Sequence, residues 1–122
     1  MKNITIVDDH PLIRKSLLKL LIKNFNHINF DEASSGEEIL DKLKNGFKTD
    51  LILLDLNMPG IGGIETCRKI TKQYPGIKIV ILTLNEECLY LDQVIDIGAN
   101  AYVDKIESKE KIYSVIREQM VN

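Results

Sequence analysis

Apolar and polar residues alternate along this chain with two different periods. Five short runs rich in Ile, Val and Leu predict β-strands at 4–7, 28–33, 51–54, 77–82 and 101–103. Three of these runs are nearly continuous in apolar residues, which is typical of strands covered on both faces. Between the runs, apolar residues recur at intervals of three and four and predict amphipathic helices.

Five helices are predicted from these intervals. Their apolar positions are Ile13, Leu17, Leu20 and Leu21 in the first, Ile39, Leu40 and Leu43 in the second, Ile64, Cys67, Ile70 and Tyr74 in the third, Val94, Ile95 and Gly98 at the end of the fourth, and Ile112, Val115, Ile116 and Gln119 in the fifth.

Local signals mark the ends of three of these helices. Pro11 fits the first turn of the first helix, where a missing N–H costs no hydrogen bond. Ser35 and Glu38 have the spacing of a capping box before the second helix. Pro75 and Gly76 end the third helix and turn the chain toward the next strand.

The strict alternation of strands and helices predicts an α/β fold, a doubly wound five-stranded parallel sheet with helices on both faces. The chain has 122 residues, enough for one domain with its own core. No linker, repeat or low-complexity segment divides it. We therefore expect residues 1–122 to form one domain.

Composition narrows the classes of function. The formal net charge of −2, without a cluster of Lys and Arg, argues against direct binding of nucleic acid. No apolar run approaches the roughly 20 residues of a membrane span, and no signal peptide is recognisable, so we expect a cytoplasmic protein without a membrane partner. Cys67 and Cys88 lack metal-site spacing and are expected to be reduced thiols.

Polar residues follow the predicted strands, where ligands bind in open α/β sheets. Asp8 and Asp9 follow the first strand, Asp55 the third, Thr83 the fourth and Lys105 the fifth. Carboxylates that meet at one edge repel each other, by roughly 4 kcal/mol for two charges about 4 Å apart at an effective dielectric near 20. Mg²⁺ would offset this repulsion, because it binds through a few carboxylates together with phosphate oxygens.

A carboxylate beside Mg²⁺ and a lysine can attack phosphorus and form an aspartyl phosphate. The metal and Lys105 would offset the charge of the phosphoryl group, and Thr83 would donate a hydrogen bond to one of its oxygens. Asp55 is the best candidate for the nucleophile, because it lies at the centre of the predicted sheet. The segment NMPGIGG behind it predicts a turn that leaves its oxygens accessible.

Each of these residues has a simpler interpretation when it is taken alone. Asp9 could cap the first helix, Thr83 could be an ordinary strand residue, and Lys105 could be a solvated surface lysine. His10 next to two aspartates suggests a transition-metal ligand, but a histidine at the start of a helix is more often a bystander. Tyr102 is by default a half-buried strand residue. The simpler interpretations weaken because the five polar residues fall at the same edge of the sheet.

The motifs VDDHP, LILLDLNMPG, ILT and GANAYVDK resemble those of the receiver domains of two-component response regulators, over essentially the whole chain. The resemblance implies a flavodoxin-like fold with strand order 2-1-3-4-5, of which receiver domains are a standard example. It also implies that Asp55 is the phosphoacceptor. Asp9 and Asp55 would then bind Mg²⁺ directly, Asn57 through its backbone carbonyl and Asp8 mainly through water. Thr83 and Lys105 would bind the phosphoryl oxygens.

The resemblance implies a signalling switch rather than an enzyme, although the domain would assist its own phosphorylation and dephosphorylation. A sensor histidine kinase would be the phosphodonor, and the acyl phosphate would shift a conformational equilibrium. The segment VDDHPLIRKSLLKLL resembles regulators with a C-terminal helix-turn-helix DNA-binding domain, which this chain does not contain. The expected output is therefore transcription, and phosphorylation could also lead to a homodimer.

Tyr102 would be the aromatic switch residue of such a domain, on a strand next to that of Thr83. The signal would leave through the surface formed by the fourth helix, the fifth strand and the fifth helix, with Tyr90, Leu91 and Tyr113. Two positions depart from the usual family pattern, Leu84 after the switch threonine and Ile106 after Lys105.

Two other functions compete with this interpretation. Phosphohydrolases of the haloacid-dehalogenase type also have a nucleophilic Asp at the end of an apolar strand, but they need a second Asp two residues later. Asn57 occupies that position and cannot act as a general acid. A receiver that serves only as a docking module would not need the complete set of three carboxylates, one hydroxyl and one ammonium.

Overall fold

The computed structural model of this chain describes residues 2–83, 95–104 and 109–120, without the side chains of Thr83 and Asp104. The elements in these ranges are β1 (Lys2–Val7), α1 (Pro11–Asn24), β2 (Ile28–Ala33), α2 (Gly36–Lys44), β3 (Leu51–Asp55), α3 (Gly62–Gln73), β4 (Lys78–Thr83), β5 (Ala101–Asp104) and α4 (Lys109–Met120). All five predicted strands are present, and α4 is the fifth predicted helix. The fourth predicted helix falls mainly outside the described residues, although Ile95 and Asp96 have helical backbone.

The five strands form one parallel sheet in the order β2-β1-β3-β4-β5. This confirms the predicted flavodoxin-like α/β fold. The central strand is β3, in which Leu54 lies opposite Val7 of β1 and Ile81 of β4. All five residues of β3 are buried, as expected for a strand covered on both faces. The carboxyl ends of β1 and β3 are therefore adjacent, so the residues that follow β1 come close to the end of β3.

Two apolar clusters fill the opposite faces of the sheet. On one face, Ile52, Leu54 and Ile81 of the strands pack with residues of α2 and α3. On the other face, Ile4 and Leu53 pack with residues of α1 and α4. Complete burial of one Ile or Leu side chain contributes about 1.5–3 kcal/mol, so the two clusters hold the strand ends in fixed positions.

The predicted helix boundaries at Pro11, Ser35 and Pro75 are confirmed. Pro11 is the first residue of α1, and Ser35 Oγ accepts a hydrogen bond of 3.0 Å from the backbone N–H of Glu38. The reciprocal bond differs from the usual capping box, because Glu38 Oε1 accepts from the backbone N–H of Ser34 at 2.9 Å. The third boundary is the end of α3 at Gln73, two residues before Pro75.

The inner and outer faces of α1 differ less in the burial of their apolar residues than the sequence predicts. Leu21 is buried, whereas Ile13 of the predicted apolar stripe is 37% exposed and the neighbouring Leu12 is 81% exposed. Within the part of the chain that the structure describes, no helix has the length and apolar character needed to cross a membrane.

Candidate functional site

Four side chains with potential metal ligands meet where β1 and β3 end. One ligand atom from each of Asp8, Asp9, His10 and Asp55 lies within 4.8 Å of the others. Asp55 is the last residue of β3, and Asp8 directly follows β1, which pairs with β3 in parallel. The sheet order thus brings together the three carboxylates that the sequence placed at one edge.

The three carboxylates differ in burial. Asp8 and Asp55 are 1% and 2% exposed, whereas the side chain of Asp9 is 26% exposed. Backbone N–H groups stabilise the two buried ones: His10 donates to Asp8 Oδ1 at 2.9 Å, and Asn57 donates to Asp55 Oδ1 at 3.2 Å. Such bonds offset part of the large cost of burying a charge.

The alternative role of Asp9 as a helix cap is wrong. The N-cap position of α1 belongs to His10, and no side chain caps this helix. Asp9 Oδ1 is shielded from solvent and accepts no hydrogen bond, although His10 Nδ1 lies 3.2 Å away. A buried carboxylate oxygen without a donor is the kind of group that a divalent cation binds. The acidic cluster formed by Asp8, Asp9 and Asp55 therefore fits a divalent metal ion.

His10 lies in the cluster, although its sequence position alone favoured the role of a bystander. Its Nδ1 lies 3.3 Å from Asp8 Oδ1 and 3.2 Å from Asp9 Oδ1. The signal in the sequence was the direct succession of His10 after two aspartates. That signal could not decide between a ring turned toward the carboxylates and a ring turned toward solvent.

Sequence reasoning also missed Arg14. Its Nη1 donates a hydrogen bond of 2.6 Å to the backbone carbonyl of Asp8, and its Nε donates to Glu32 Oε1 at 2.8 Å. Lys15 Nζ donates to the other oxygen of Glu32 at 2.8 Å. The bonds from Lys15 and Arg14 hold the pKa of Glu32 below its ordinary value. The side chain of Arg14 is only 13% exposed, so it links the end of β1 to β2 from a shielded position.

The loop between β3 and α3 packs closely against the end of β3. A Cβ atom at Gly63 would lie 2.6 Å from the carbonyl oxygen of Asp55 and from the Cα of Leu56. Gly60 has a φ of +76°, and its neighbour Ile61 donates a backbone hydrogen bond of 3.3 Å to Glu37 Oε2. The predicted turn is present. The expectation that it leaves the oxygens of Asp55 accessible is wrong, since Asp55 is only 2% exposed.

A family model described as the response regulator receiver domain matches residues 4–117. The chain belongs to this family. Two curated relatives of this receiver domain are the response regulators GacA from Pseudomonas aeruginosa and UvrY from Escherichia coli. GacA is 35% identical over 118 residues, which is 97% of this chain and 55% of GacA. UvrY is 35% identical over 119 residues, which is 96% of this chain and 53% of UvrY. The receiver domain thus spans about half the length of these two relatives.

Solved structures share the fold of this receiver domain. The response regulator TrrA from Thermotoga maritima, solved in complex with Mg²⁺-BeF, has a TM-score of 0.87 and 33% sequence identity; the match covers 98% of this chain and 100% of TrrA. A CheY-like receiver domain protein from Methanospirillum hungatei has a TM-score of 0.87 and 29% identity, and covers 98% of this chain and 93% of its own.

The remaining predicted site residues of the receiver domain are only partly described. Thr83 is the last residue of β4, and its backbone lies opposite Asp104 of β5. Tyr102 of β5 lies opposite Ile81 of β4. The prediction that Thr83 and Tyr102 belong to neighbouring strands is therefore confirmed, and Tyr102 is 42% exposed. Several residues of the sequence analysis lie outside the described ranges: Leu84, Asn85, Cys88, Tyr90, Leu91, Lys105 and Ile106.

Tyr113, which was predicted to lie on the surface formed by the fourth helix, the fifth strand and the fifth helix, is on the fifth predicted helix but contacts α1. The ring of Tyr113 packs edge-to-face on Phe25 with 5.9 Å between the ring centroids, and its hydroxyl lies 3.2 Å from Asn24 Nδ2. Tyr113 therefore contacts the end of α1, because its position on α4 faces that helix.

Proposed function

We propose that this receiver domain is a phosphorylation-dependent signalling switch in which Asp55 accepts a phosphoryl group from a sensor histidine kinase. The observation that carries the proposal is the convergence of Asp8, Asp9 and Asp55 at the ends of β1 and β3. A carboxylate oxygen of Asp55 would form the new O–P bond while the P–N bond of the kinase phosphohistidine breaks. The domain would thus assist its own phosphorylation without turning over a substrate as an enzyme does.

Mg²⁺ is the metal that the acidic cluster would hold. Asp9 and Asp55 would bind it directly, Asn57 through its backbone carbonyl and Asp8 mainly through water. The ion would supply positive charge to the phosphoryl group during its transfer. Two observations support this assignment: Asp9 Oδ1 is buried without a hydrogen bond, and the related TrrA was solved in complex with Mg²⁺-BeF.

Thr83 and Lys105 would bind the phosphoryl oxygens from the neighbouring strand ends. The register supports this role, because Asp55 lies opposite Leu82 and Thr83 is the next residue of β4. Lys105 directly follows β5, whose last residue Asp104 lies opposite Thr83. Movement of Thr83 toward the phosphoryl group would leave space that the exposed ring of Tyr102 can occupy.

The output of the switch is proposed to be transcription. The matched relatives carry the name response regulator, and this chain spans only about half of their length. The proposal therefore also includes a DNA-binding domain, an intracellular kinase partner and a homodimer that forms on phosphorylation. Residues 1–122 would act together as the phosphoacceptor unit.

Acetyl phosphate and Mg²⁺ test the proposal directly. The wild-type protein is expected to gain one base-labile phosphoryl group, and Asp55→Ala is expected to gain none in intact-protein mass spectrometry. Asp41→Ala, which removes an exposed carboxylate of α2, is the matched control and should be labelled like the wild type. Labelling of Asp55→Ala at the wild-type level would refute the assignment. A wild-type protein that is never labelled would favour the docking module instead.

A further inference from the structure

The imidazole of His10 faces two carboxylates of the acidic cluster at once. Its Nδ1 lies 3.3 Å from Asp8 Oδ1 and 3.2 Å from Asp9 Oδ1, while 54% of the side chain remains exposed. The backbone of His10 is fixed on both sides. Its N–H donates to Asp8 Oδ1 at 2.9 Å, and its carbonyl accepts from the N–H of Arg14 at 2.9 Å. The ring is therefore held over the cluster by the first turn of α1.

The distances from Nδ1 correspond to the spacing of neighbouring ligands in an octahedral metal site. With metal–ligand bonds of about 2.1 Å, two such ligand atoms lie about 3.0 Å apart. The contact with Asp8 Oδ1 can be a hydrogen bond, which would leave the contact with Asp9 Oδ1 unexplained. Asp9 Oδ1 indeed accepts no hydrogen bond. A shared metal ion would satisfy this oxygen and the imidazole nitrogen together.

The nitrogen changes which metals the cluster can bind well. Mg²⁺ prefers oxygen ligands, whereas imidazole suits Co²⁺, Ni²⁺ and similar ions, whose affinities rise along the first transition row. We infer that His10 is a metal ligand that makes the acidic cluster of this receiver domain selective for octahedral transition-metal ions such as Ni²⁺ over Mg²⁺. The inference rests on the proposed metal site. It requires a neutral imidazole with its proton on Nε2.

Calorimetric titrations with Ni²⁺ and with Mg²⁺ test this selectivity on the untagged protein, since a polyhistidine tag would bind Ni²⁺ itself. His10→Ala is expected to lower the affinity for Ni²⁺ by about 10- to 100-fold. Its affinity for Mg²⁺ should change by less than about twofold, because Mg²⁺ makes little use of nitrogen ligands. His27→Ala is the matched control: His27 is the only other histidine of the chain, is exposed, and precedes β2 at the opposite edge of the sheet.

Three outcomes decide the inference. Loss of Ni²⁺ affinity alone in His10→Ala, accompanied by a changed visible spectrum of bound Co²⁺, supports it. An unchanged ratio of Ni²⁺ to Mg²⁺ affinity overturns it, even if both affinities fall, because His10 then only shapes the loop. His10→Phe keeps a ring at this position and should behave like the alanine variant. A wild-type protein that binds Ni²⁺ through His10 but not Mg²⁺ would contradict the proposed Mg²⁺ site and leave this inference standing.

Discussion

Arg14 holds the backbone of Asp8 in place, since its Nη1 donates a hydrogen bond of 2.6 Å to the carbonyl oxygen of Asp8. The same guanidinium binds Glu32 on β2, so the turn that carries the acidic cluster is attached to the sheet at two points. A planar guanidinium can make both bonds at once, whereas the single ammonium of lysine cannot keep this geometry.

Arg14→Met is expected to lower the free energy of unfolding by about 1.5–3 kcal/mol, because it removes shielded hydrogen bonds of a charged group. It should also weaken Mg²⁺ binding, since the turn at Asp8 loses its attachment, and Arg14→Lys should recover only part of either loss. Lys15→Met is the control. Lys15 binds the same Glu32 but is 62% exposed, so its loss should change stability by less than about 1 kcal/mol. Urea denaturation and Mg²⁺ titration measure both effects, and equal losses in the two variants would contradict the role of Arg14.

Asp9→Ala should separate metal binding from folding. Removal of this carboxylate relieves repulsion from Asp8 and Asp55, so the metal-free variant is expected to be at least as stable as the wild type. Added Mg²⁺ should raise the melting temperature of the wild type, because a ligand that binds only the folded state stabilises it. The melting temperature of Asp9→Ala should hardly respond. Calorimetry with and without a chelator measures the difference, and an equal Mg²⁺ response in both proteins would place the metal elsewhere.

Gly63→Ala should disturb the end of β3 that carries Asp55. The added methyl group would meet the backbone of Asp55 and Leu56 at 2.6 Å, and such overpacking costs about 1–3 kcal/mol. The rate of labelling by acetyl phosphate should fall as well. Gly76→Ala is the matched control, because a Cβ there meets no atom within 4 Å. Its stability should stay within about 0.5 kcal/mol of the wild type. Similar stabilities of the two variants in urea would refute the close contact at Gly63.

Glu38 should contribute to stability in a pH-dependent way. Hydrogen bonds from the hydroxyl and the backbone N–H of Ser34 lower the pKa of Glu38 from its ordinary value. The unfolded chain then takes up the proton first as the pH falls, so the contribution is complete above the ordinary glutamate range and disappears below the lowered pKa. The stability difference between wild type and Glu38→Gln should therefore shrink on acidification. Urea denaturation at neutral and acid pH measures it. Glu118→Gln, at an exposed position of α4, is the control, and a pH-independent difference for Glu38→Gln would contradict the prediction.

Tyr102 is expected to become less exposed when the site is occupied. Beryllofluoride with Mg²⁺ serves as the phosphoryl mimic, and it must bind the state with the buried ring better in order to shift the population. Fluorotyrosine NMR with a paramagnetic agent in solution reports the exposure of each ring. Tyr102→Phe assigns the signal, and the half-buried Tyr74, which directly follows α3, is the internal control. An unchanged Tyr102 signal, with changes only in the loop after Asp55, would contradict the switch.

Local periodicity made most of the fold predictable. The second strand was predicted at 28–33 and is found at Ile28–Ala33. Strand ends that depend on partners in the sheet were less predictable: β1 begins at Lys2 rather than at Ile4, because Lys2 pairs with Ile28. The grouping of Asp8, Asp9 and Asp55 was predictable, because it follows from the order of parallel strands alone.

The contacts around the carboxylates could not be predicted in the same way. The reach of Arg14 to Glu32 joins residues 18 apart in sequence, and no periodicity encodes it. The direction of the His10 ring depends on a backbone turn closed by Asp8 Oδ1. The close approach of Gly63 to the backbone of Asp55 becomes visible only when α3 is docked on the sheet.

All three carboxylates lie at strand ends. The residues of the acidic cluster are therefore separate from the exposed helix residues that are available to select a partner. The outward positions of the helices, such as Leu12 at 81% and Ile22 at 51% exposure, carry none of the three carboxylates. These positions can therefore diverge between duplicated copies of the gene while the acidic cluster stays intact. Specificity for one signalling partner over another can thus evolve through exposed helix residues. The partner of the domain can be changed by design if these exposed residues are exchanged while the sheet is kept.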